Sequence, residues 1–117
     1  MKSDEEAACE RLIRSLGGDA IRLSEPGRTV PWHAGLPDFR VRLRGVAFWM
    51  EVKSRRDKLT RRQLDFLLAE SKCGEVVFAG DRAALEALVL ARPSDWKARG
   101  WEALGIIAAR GIRDERP

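Results

Sequence analysis

Apolar and polar residues alternate along two short segments on either side of Arg44-Gly45. Alternation with a period of two is typical of half-buried strands, and glycine tolerates the positive φ that a tight turn requires. We therefore predict a β-hairpin in which Phe39 pairs with Met50 and Asp38 pairs with Glu51. One face of this hairpin is apolar and must pack on a helix; it carries Phe39, Val41, Leu43, Val46, Phe48, Met50 and Val52.

The opposite, polar face of the hairpin carries Asp38, Arg40, Arg42, Trp49, Glu51 and Lys53. Directly opposed residues have Cβ atoms about 5 Å apart, and two carboxylates at that distance repel by roughly 3 kcal/mol at an effective dielectric constant of about 20. A divalent metal ion between Asp38 and Glu51 would remove this repulsion. The alternative is an exposed hairpin in which Lys53 and nearby arginines neutralise both acids. The pattern alone leaves both interpretations open.

The rest of the chain predicts alternating helices and strands. The spacing of Cys9, Leu12, Ile13 and Leu16 indicates a first helix over residues 4–16. It is followed by a strand at 19–23, a loop at 24–34, a helix from Thr60 to Gly74, a strand at 75–79 and a helix at 82–91. Because a strand–helix–strand connection is right-handed and joins parallel strands, we expect an α/β fold with a central mixed sheet flanked by helices.

The helix that starts near residue 60 has the clearest start signal in the chain. Thr60 and Gln63 have the spacing of a capping box, and Leu59 and Leu64 can form the flanking hydrophobic staple. Gln63 therefore has a structural explanation at the first turn of this helix. A side chain in that turn can also face a neighbouring site, so the capping role does not exclude a functional one.

The C-terminal segment, residues 94–117, is less regular. Trp96, Trp101, Ile106 and Ile107 form a large apolar group, whereas glycines at 100, 105 and 111 weaken any long helix. We expect this segment both to complete the core and to contribute to a subunit contact. By length, residues 1–117 form a single domain with a core at about 4–91 and a C-terminal extension at 94–117.

Composition and charge favour an anionic partner. The formal net charge is +4 and the sequence pI is about 9.6. Basic residues concentrate around the two carboxylates, and arginine binds phosphate through two parallel hydrogen bonds. The chain has no run of about 18 apolar residues and no apolar leader segment at its start, so we expect no membrane insertion. Cys9 and Cys73 have no metal-ligand spacing and predict two reduced core thiols in a cytoplasmic protein.

Three motifs in this region resemble a known nuclease superfamily. Pro37-Asp38 followed by Glu51-Val52-Lys53 resembles the PD-(D/E)XK signature. Together with Gly35-Leu36 and the segment Lys58–Gln63, these motifs resemble the VRR-NUC branch of that superfamily over roughly residues 5–90. The resemblance implies a restriction-endonuclease-like core and a DNA endonuclease that hydrolyses phosphodiester bonds with Mg²⁺ or Mn²⁺.

The resemblance also implies roles for individual residues. Asp38, Glu51 and the main-chain carbonyl of Val52 would hold the metal ion, and Lys53 and Gln63 would orient the attacking water or the phosphate. Members of the family supply a further acid from the first helix. Glu5 is our first candidate for that acid and Glu6 the second, although either could instead simply complement the helix dipole. Phosphate contacts are expected from Arg40, Arg42, Arg55, Arg56, Lys58, Arg61 and Arg62.

The loop at 24–34 leads directly into Gly35 and is expected to lie over the site, where Arg28, Trp32 and His33 could contact nucleic acid. We interpret the single histidine, His33, as a solvated loop residue rather than a catalytic base.

Stand-alone domains that resemble this branch act on branched DNA, including four-way junctions. Symmetric resolution of a junction needs two active sites, so we expect a C2 homodimer. The alternatives are a non-catalytic nucleic-acid-binding module of the same fold and a nuclease that acts on flap, single-stranded or duplex DNA.

Overall fold

The computed structural model describes residues 2–23 and 35–114. Its helices are α1 (Lys2–Ser15), α2 (Arg61–Lys72), α3 (Arg82–Leu90) and α4 (Trp96–Ala108), with a short 3₁₀ turn at Pro93–Asp95. Its strands are β1 (Asp19–Arg22), β2 (Phe39–Leu43), β3 (Val46–Val52), β4 (Leu59–Thr60), β5 (Val76–Gly80) and β6 (Ile112–Arg113). Over the described ranges, none of the helices combines the length and apolar character needed to cross a membrane.

Four strands form a central mixed sheet in the order β1-β2-β3-β5. Strands β2 and β3 are antiparallel with Phe39 opposite Met50 and Leu43 opposite Val46, which confirms the predicted register. Arg44 and Gly45 both have positive φ, 52° and 79°, as a tight hairpin turn requires. Strand β5 runs parallel to β3, so the predicted crossover through α2 and the α/β fold class are confirmed.

The apolar face of the hairpin packs as predicted. Phe39, Val41, Phe48, Met50 and Val52 are buried against helices α1 and α3 and the start of α4. The helices contribute Cys9, Ile13, Leu85, Leu88, Val89 and Trp96 to this first core.

The opposite face of the sheet is not the polar surface that the sequence suggested. Helices α2 and α4 cover it with a second core that includes Leu67, Leu104 and Ile107. Trp49 lies against this core, with its ring edge-to-face on Phe66 at 5.1 Å and its indole N–H donating to Glu70 at 2.6 Å. The polar residues Asp38, Glu51 and Lys53 lie at one end of this face, where β2 begins and β3 ends. This end of the sheet is the candidate site.

Helix α4 is continuous, although its glycines predicted a weak helix. A Cβ on Gly100 would lie 2.0 Å from the Val77 carbonyl oxygen, so glycine is needed for the helix to approach β5. The Gly80 carbonyl accepts the Lys53 N–H at 2.8 Å, and because carbonyls alternate in direction along a strand, that of Val77 points to the outer edge of the sheet. Helix α4 thus covers the edge strand β5.

The two tryptophans of the C-terminal segment, Trp96 and Trp101, differ in burial. Trp96 is buried in the first core, edge-to-face with Phe48 at 5.8 Å, which confirms a core role for this segment. Trp101 and Ile106 are 50% and 67% exposed, so their part in a subunit contact stays a prediction. Of the two cysteines, Cys9 is a buried thiol, but Cys73 is exposed just after α2, so the prediction of two core thiols is wrong for Cys73.

Candidate active site

The two carboxylates meet where β2 begins and β3 ends. Asp38 immediately precedes β2, and Glu51 and Lys53 lie at the end of β3; their exposed fractions are 6%, 1% and 1%. The alternative of an exposed hairpin is therefore excluded, although Lys53 does pair with Glu51 at 3.2 Å, as that alternative expected. Burial of three charged groups in one place is costly unless they pair with one another or bind a ligand.

Gly35 explains how the segment before Asp38 reaches this position. Its φ is +98°, and a Cβ at this position would lie 2.8 Å from the carbonyl oxygen of Arg62. Glycine therefore permits both the left-handed backbone and a close approach to the first turn of α2. The motif that begins at Gly35 is thereby held between the sheet and the helix that carries Gln63.

Asp38 is fixed by the main chain of the neighbouring strand. Its Oδ2 atom accepts a hydrogen bond from the Val52 N–H at 2.8 Å and lies 3.3 Å from the Lys2 ammonium nitrogen. A strand residue directs its N–H and its C=O to the same side. The carbonyl of Val52 is therefore directed to the same edge of β3 as Asp38, as the predicted metal role for Val52 requires.

The two carboxylate oxygens of Glu51 have different contacts. Its Oε2 atom is contacted by the Lys2 ammonium at 3.0 Å, the Lys53 ammonium at 3.2 Å and the Gln63 side-chain amide at 3.3 Å. Its Oε1 atom is buried and has no hydrogen-bond partner among the described residues. Burial, together with the Asp38 charge, raises the pKa of Glu51 to about 7, against the opposing effects of the two lysines.

The two lysines at the site respond differently to their surroundings. Burial lowers the pKa of Lys53, and the nearby Lys2 and Arg113 charges add to this, although Glu51 opposes it. Burial also disfavours the charged form of Lys2, but Glu51 and Asp38 outweigh that effect and raise the pKa of Lys2 above its ordinary value. Sequence reasoning missed Lys2, because a lysine at the second position of a chain belongs to no motif and its two carboxylate contacts arise only from the packing of α1.

Gln63 has both of the roles that the sequence allowed. Its side-chain carbonyl accepts the Thr60 N–H at 3.0 Å, and its own N–H donates to the Thr60 hydroxyl at 3.1 Å, which completes the capping box. Its amide nitrogen donates to Glu51. The first turn of α2 therefore satisfies its own backbone while it faces the carboxylate pair.

The first helix contributes a different acid from the one ranked first. Glu5 Oε2 accepts the Arg82 N–H at 3.0 Å, so its described contact is with the start of α3. Glu6 hydrogen-bonds to Asp38; burial and this neighbouring carboxylate raise the pKa of Glu6. A helical wheel identifies the face directed to the core, but it does not show that this face meets α3 at Glu5. The structure therefore favours Glu6 over Glu5 for a role at this site.

The donor set fits a hard divalent cation. Within residues 2–23 and 35–114, no three His, Cys, Asp or Glu side chains form a ready-made cation cluster. Mg²⁺, however, is usually held by one or two carboxylates and completes its shell with water. Asp38 and Glu51 supply two carboxylates, and the buried Glu51 Oε1 atom without a partner suits a ligand oxygen. These residues fit Mg²⁺ or Mn²⁺.

The basic residues predicted to bind phosphate lie in three different places. Arg40 stacks on Trp49 at 4.3 Å and pairs with Glu75 at 3.0 Å, so its contacts are structural. Arg42 is exposed farther along β2. The others are exposed on the turn after Lys53 and on the first turn of α2, namely Arg55, Arg56, Lys58, Arg61 and Arg62. The predicted loop contacts of Arg28, Trp32 and His33 lie outside the described residues.

Two solved structures are similar to this chain. A VRR-NUC domain structure matches with 31% sequence identity and a TM-score of 0.56, covering 68% of this chain and 82% of that one. Hjc from Archaeoglobus fulgidus, a Holliday junction resolvase from an archaeal hyperthermophile, matches with 20% identity and a TM-score of 0.51, covering 66% of this chain and 64% of its own. No protein-family model and no curated protein matches the chain. The mixed sheet, the buried carboxylate pair and the VRR-NUC match together show that this chain belongs to the VRR-NUC domain family, with a restriction-endonuclease-like fold.

Proposed function

We propose that this chain is a metal-dependent DNA endonuclease that hydrolyses phosphodiester bonds, with branched DNA such as four-way junctions as its substrate. The observation that carries the proposal is the buried Glu51, with one oxygen that has no partner among the described residues, beside Asp38 and Lys53. A buried carboxylate oxygen without a partner costs free energy even though Lys2 and Lys53 contact the other oxygen, and a proton or a divalent cation on the first oxygen would remove that cost. Functional sites are where such groups concentrate.

The metal ion would be held by Asp38, Glu51 and the carbonyl of Val52, and we propose Glu6 in place of Glu5 as the first-helix acid. Glu6 already hydrogen-bonds to Asp38, so it can reach a ligand of that carboxylate directly or through water. When bound, Mg²⁺ or Mn²⁺ would stabilise charge on the scissile phosphate and make a coordinated water more acidic.

Lys53 and Gln63 would act on the phosphate and the attacking water. The Lys53 ammonium is held 3.2 Å from Glu51 on the same strand, so it can donate to a phosphate oxygen as negative charge develops there. Gln63 already uses its carbonyl in the capping box, which leaves its amide as the group directed to the site. That amide would orient the water or a phosphate oxygen.

DNA binding would come from exposed basic residues next to these groups. Arg55, Arg56, Lys58, Arg61 and Arg62 lie on the turn and helix start that follow Lys53. Such side chains bind backbone phosphates and position the duplex, but they do not read its sequence. We therefore propose recognition of DNA shape rather than of base sequence.

The substrate proposal is supported by the fold shared with the archaeal Holliday junction resolvase. One site cuts one strand, so paired cuts across a junction require two copies of the site. We propose a C2 homodimer, in which an isologous contact places two sites on one junction. A monomer at micromolar concentration in sedimentation velocity would count against this part of the proposal.

A substrate panel tests the proposed function. Labelled four-way junction, flap, duplex and single-stranded DNA are incubated with wild-type protein and with Asp38→Ala, each with and without Mg²⁺. We expect Mg²⁺-dependent cleavage by the wild type, fastest on the junction, and none by the variant. Junction binding without cleavage, unchanged by the substitution, would instead indicate a non-catalytic module. Cleavage of flap, single-stranded or duplex DNA in preference to the junction would change the assigned substrate.

A further inference from the structure

The last described residues of the chain lie next to the segment that follows Lys53. Helix α4 ends at Ala108, and Gly111 adopts a φ of +98° in the segment that joins this helix to β6. Strand β6 then pairs in parallel with β4, placing Arg113 opposite Thr60, the residue that caps α2. The last described residues therefore contact the turn and helix start that carry the basic side chains.

Arg110 makes the most specific contact in this region. Its Nη1 atom donates to the carbonyl oxygen of Ser54 at 2.7 Å and to that of Asp57 at 2.9 Å. These carbonyls bracket Arg55 and Arg56, whose side chains are exposed. A single guanidinium thus binds both ends of the turn that immediately follows Lys53.

Hydrogen bonds between Ser54 and Asp57 also stabilise the turn from within. The Asp57 carboxylate accepts the Ser54 N–H at 3.0 Å and the Ser54 hydroxyl at 2.7 Å, and these bonds with Ser54 lower the pKa of Asp57. The internal bonds give the turn its shape, but they do not fix its orientation on the protein. Arg110 supplies that link, because it joins the Ser54–Asp57 turn to the segment that directly follows α4.

We propose that Arg110 is a positioning residue that holds the Ser54–Asp57 turn so that Arg55 and Arg56 present a preformed pair of guanidinium groups to the DNA backbone phosphates. This inference rests on the proposed function for the identity of the ligand. The contacts of Arg110 with the Ser54 and Asp57 carbonyls, which we call the Arg110 clamp, are independent of that function. Preorganised donors bind with a smaller loss of conformational entropy than donors on a loose loop.

Two measurements on the full chain test the proposal, with Arg99→Ala as the matched control. Arg99 is an exposed arginine of α4, the helix that leads into Arg110, and its described ion pair is with Glu102 at 4.0 Å. The first measurement is limited trypsin digestion under native conditions, with mass mapping of cleavage after Arg55 and Arg56. We expect Arg110→Ala to speed this cleavage about tenfold or more, since local opening exposes the turn. Arg99→Ala should match the wild type.

The second measurement is the Kd for a labelled four-way junction in the absence of divalent metal. We expect Arg110→Ala to weaken binding about fivefold to tenfold, and Arg110→Lys, which keeps a donor, to recover part of that loss. The decisive comparison is made in an Arg55→Ala/Arg56→Ala background. If Arg110 acts through these residues, adding Arg110→Ala there changes the Kd by less than about twofold.

Two results would overturn the clamp: unchanged tryptic cleavage in Arg110→Ala, or a Kd loss from Arg110→Ala that persists in full in the double-variant background. The second would make Arg110 a direct phosphate contact. Should Arg110→Ala fail to fold, Arg110→Lys carries both measurements, with accelerated cleavage and weaker binding expected and wild-type values contradictory. A wild-type protein that does not bind the junction refutes the proposed function instead. The digestion result still tests whether Arg110 holds the Ser54–Asp57 turn.

Discussion

The Gln63 side-chain amide donates to Glu51 Oε2 across 3.3 Å while the carbonyl of the same side chain caps helix α2. One residue thus links the stability of a helix start to the position of a buried carboxylate. The two roles use different atoms, so substitutions can separate them.

Gln63→Glu and Gln63→Ala should separate the capping role from the site role. Glutamate keeps the oxygen that accepts from Thr60, so we expect its free energy of unfolding to stay within about 0.5 kcal/mol of the wild type at pH 5, where Glu51 is protonated, and to fall below it at pH 8, where the two carboxylates repel. Alanine should lose about 1 kcal/mol through the missing cap. Both should slow junction cleavage by tenfold or more, roughly the loss of one positioned donor. Urea denaturation and single-turnover cleavage measure the two effects. Wild-type cleavage by Gln63→Glu would contradict a role for the amide.

Glu51 should make the metal-free protein less stable as the pH rises. Its folded-state pKa is about 7, above the ordinary value of 4.5, so its stabilising contribution is complete below pH 4.5 and is lost as the pH rises through 7. Between pH 5 and 8 we expect the wild type to lose roughly 2 kcal/mol relative to Glu51→Gln. Parallel stability profiles for the two proteins in urea denaturation would contradict this assignment.

The same linkage predicts how a cation acts. A cation binds the ionised form of Glu51, so Mn²⁺ should stabilise the wild type more at pH 8 than at pH 6. Glu102→Gln, which changes an exposed acid on α4, serves as the control and should follow the wild type.

Lys2 should compete with a bound cation. Its ammonium lies 3.0 Å from Glu51 and 3.3 Å from Asp38, and like charges repel in a poorly solvated site. We expect Lys2→Met to bind Mn²⁺ about tenfold more tightly in calorimetry, a change of about 1.4 kcal/mol. Lys72→Met, at the exposed end of α2, should leave the affinity unchanged. Weaker Mn²⁺ binding by Lys2→Met would show instead that Lys2 holds the carboxylates in place.

Replacing Gly100 or Gly105 of helix α4 with alanine should change the stability of the protein in opposite directions. A Cβ at Gly100 would collide with the Val77 carbonyl, whereas a Cβ at Gly105 has no atom within 4 Å. Gly100→Ala should lose about 2 kcal/mol or more of unfolding free energy through overpacking, and Gly105→Ala should gain about 0.5 to 1 kcal/mol through helix propensity. Thermal or urea unfolding checks both. Equal stability of the two variants would contradict the packing of α4 on β5.

The features that could be predicted from sequence are those fixed by neighbours along the chain. The hairpin register follows from the alternation around Arg44-Gly45, and it places Asp38 beside Glu51 without reference to any relative. The Thr60–Gln63 capping box is likewise local. Both depend on a few adjacent residues, so the pattern suffices to specify them.

The features that could not be predicted depend on packing between distant elements. The contact of Glu6 rather than Glu5 with Asp38 is set by how α1 crosses the sheet and meets α3. Lys2 contacts Glu51, and Arg110 contacts the turn after Lys53, each from a segment distant in sequence, and no residue spacing signals either contact. Strand pairing between β4 and β6 involves two residues on each side, too few to produce a pattern.

Single-turnover cleavage of a four-way junction as a function of Mg²⁺ concentration tests the central claim, which is that Asp38 and Glu51 form a metal-dependent hydrolytic site. Asp38→Asn and Glu51→Gln preserve side-chain size, and Asp19→Asn changes an exposed aspartate on β1 as the control. We predict saturable, Mg²⁺-dependent cleavage by the wild type and by Asp19→Asn, with a loss of at least about a thousandfold in the two site variants. Cleavage by Asp38→Asn at near the wild-type rate, or wild-type cleavage that needs no divalent cation, would contradict the account.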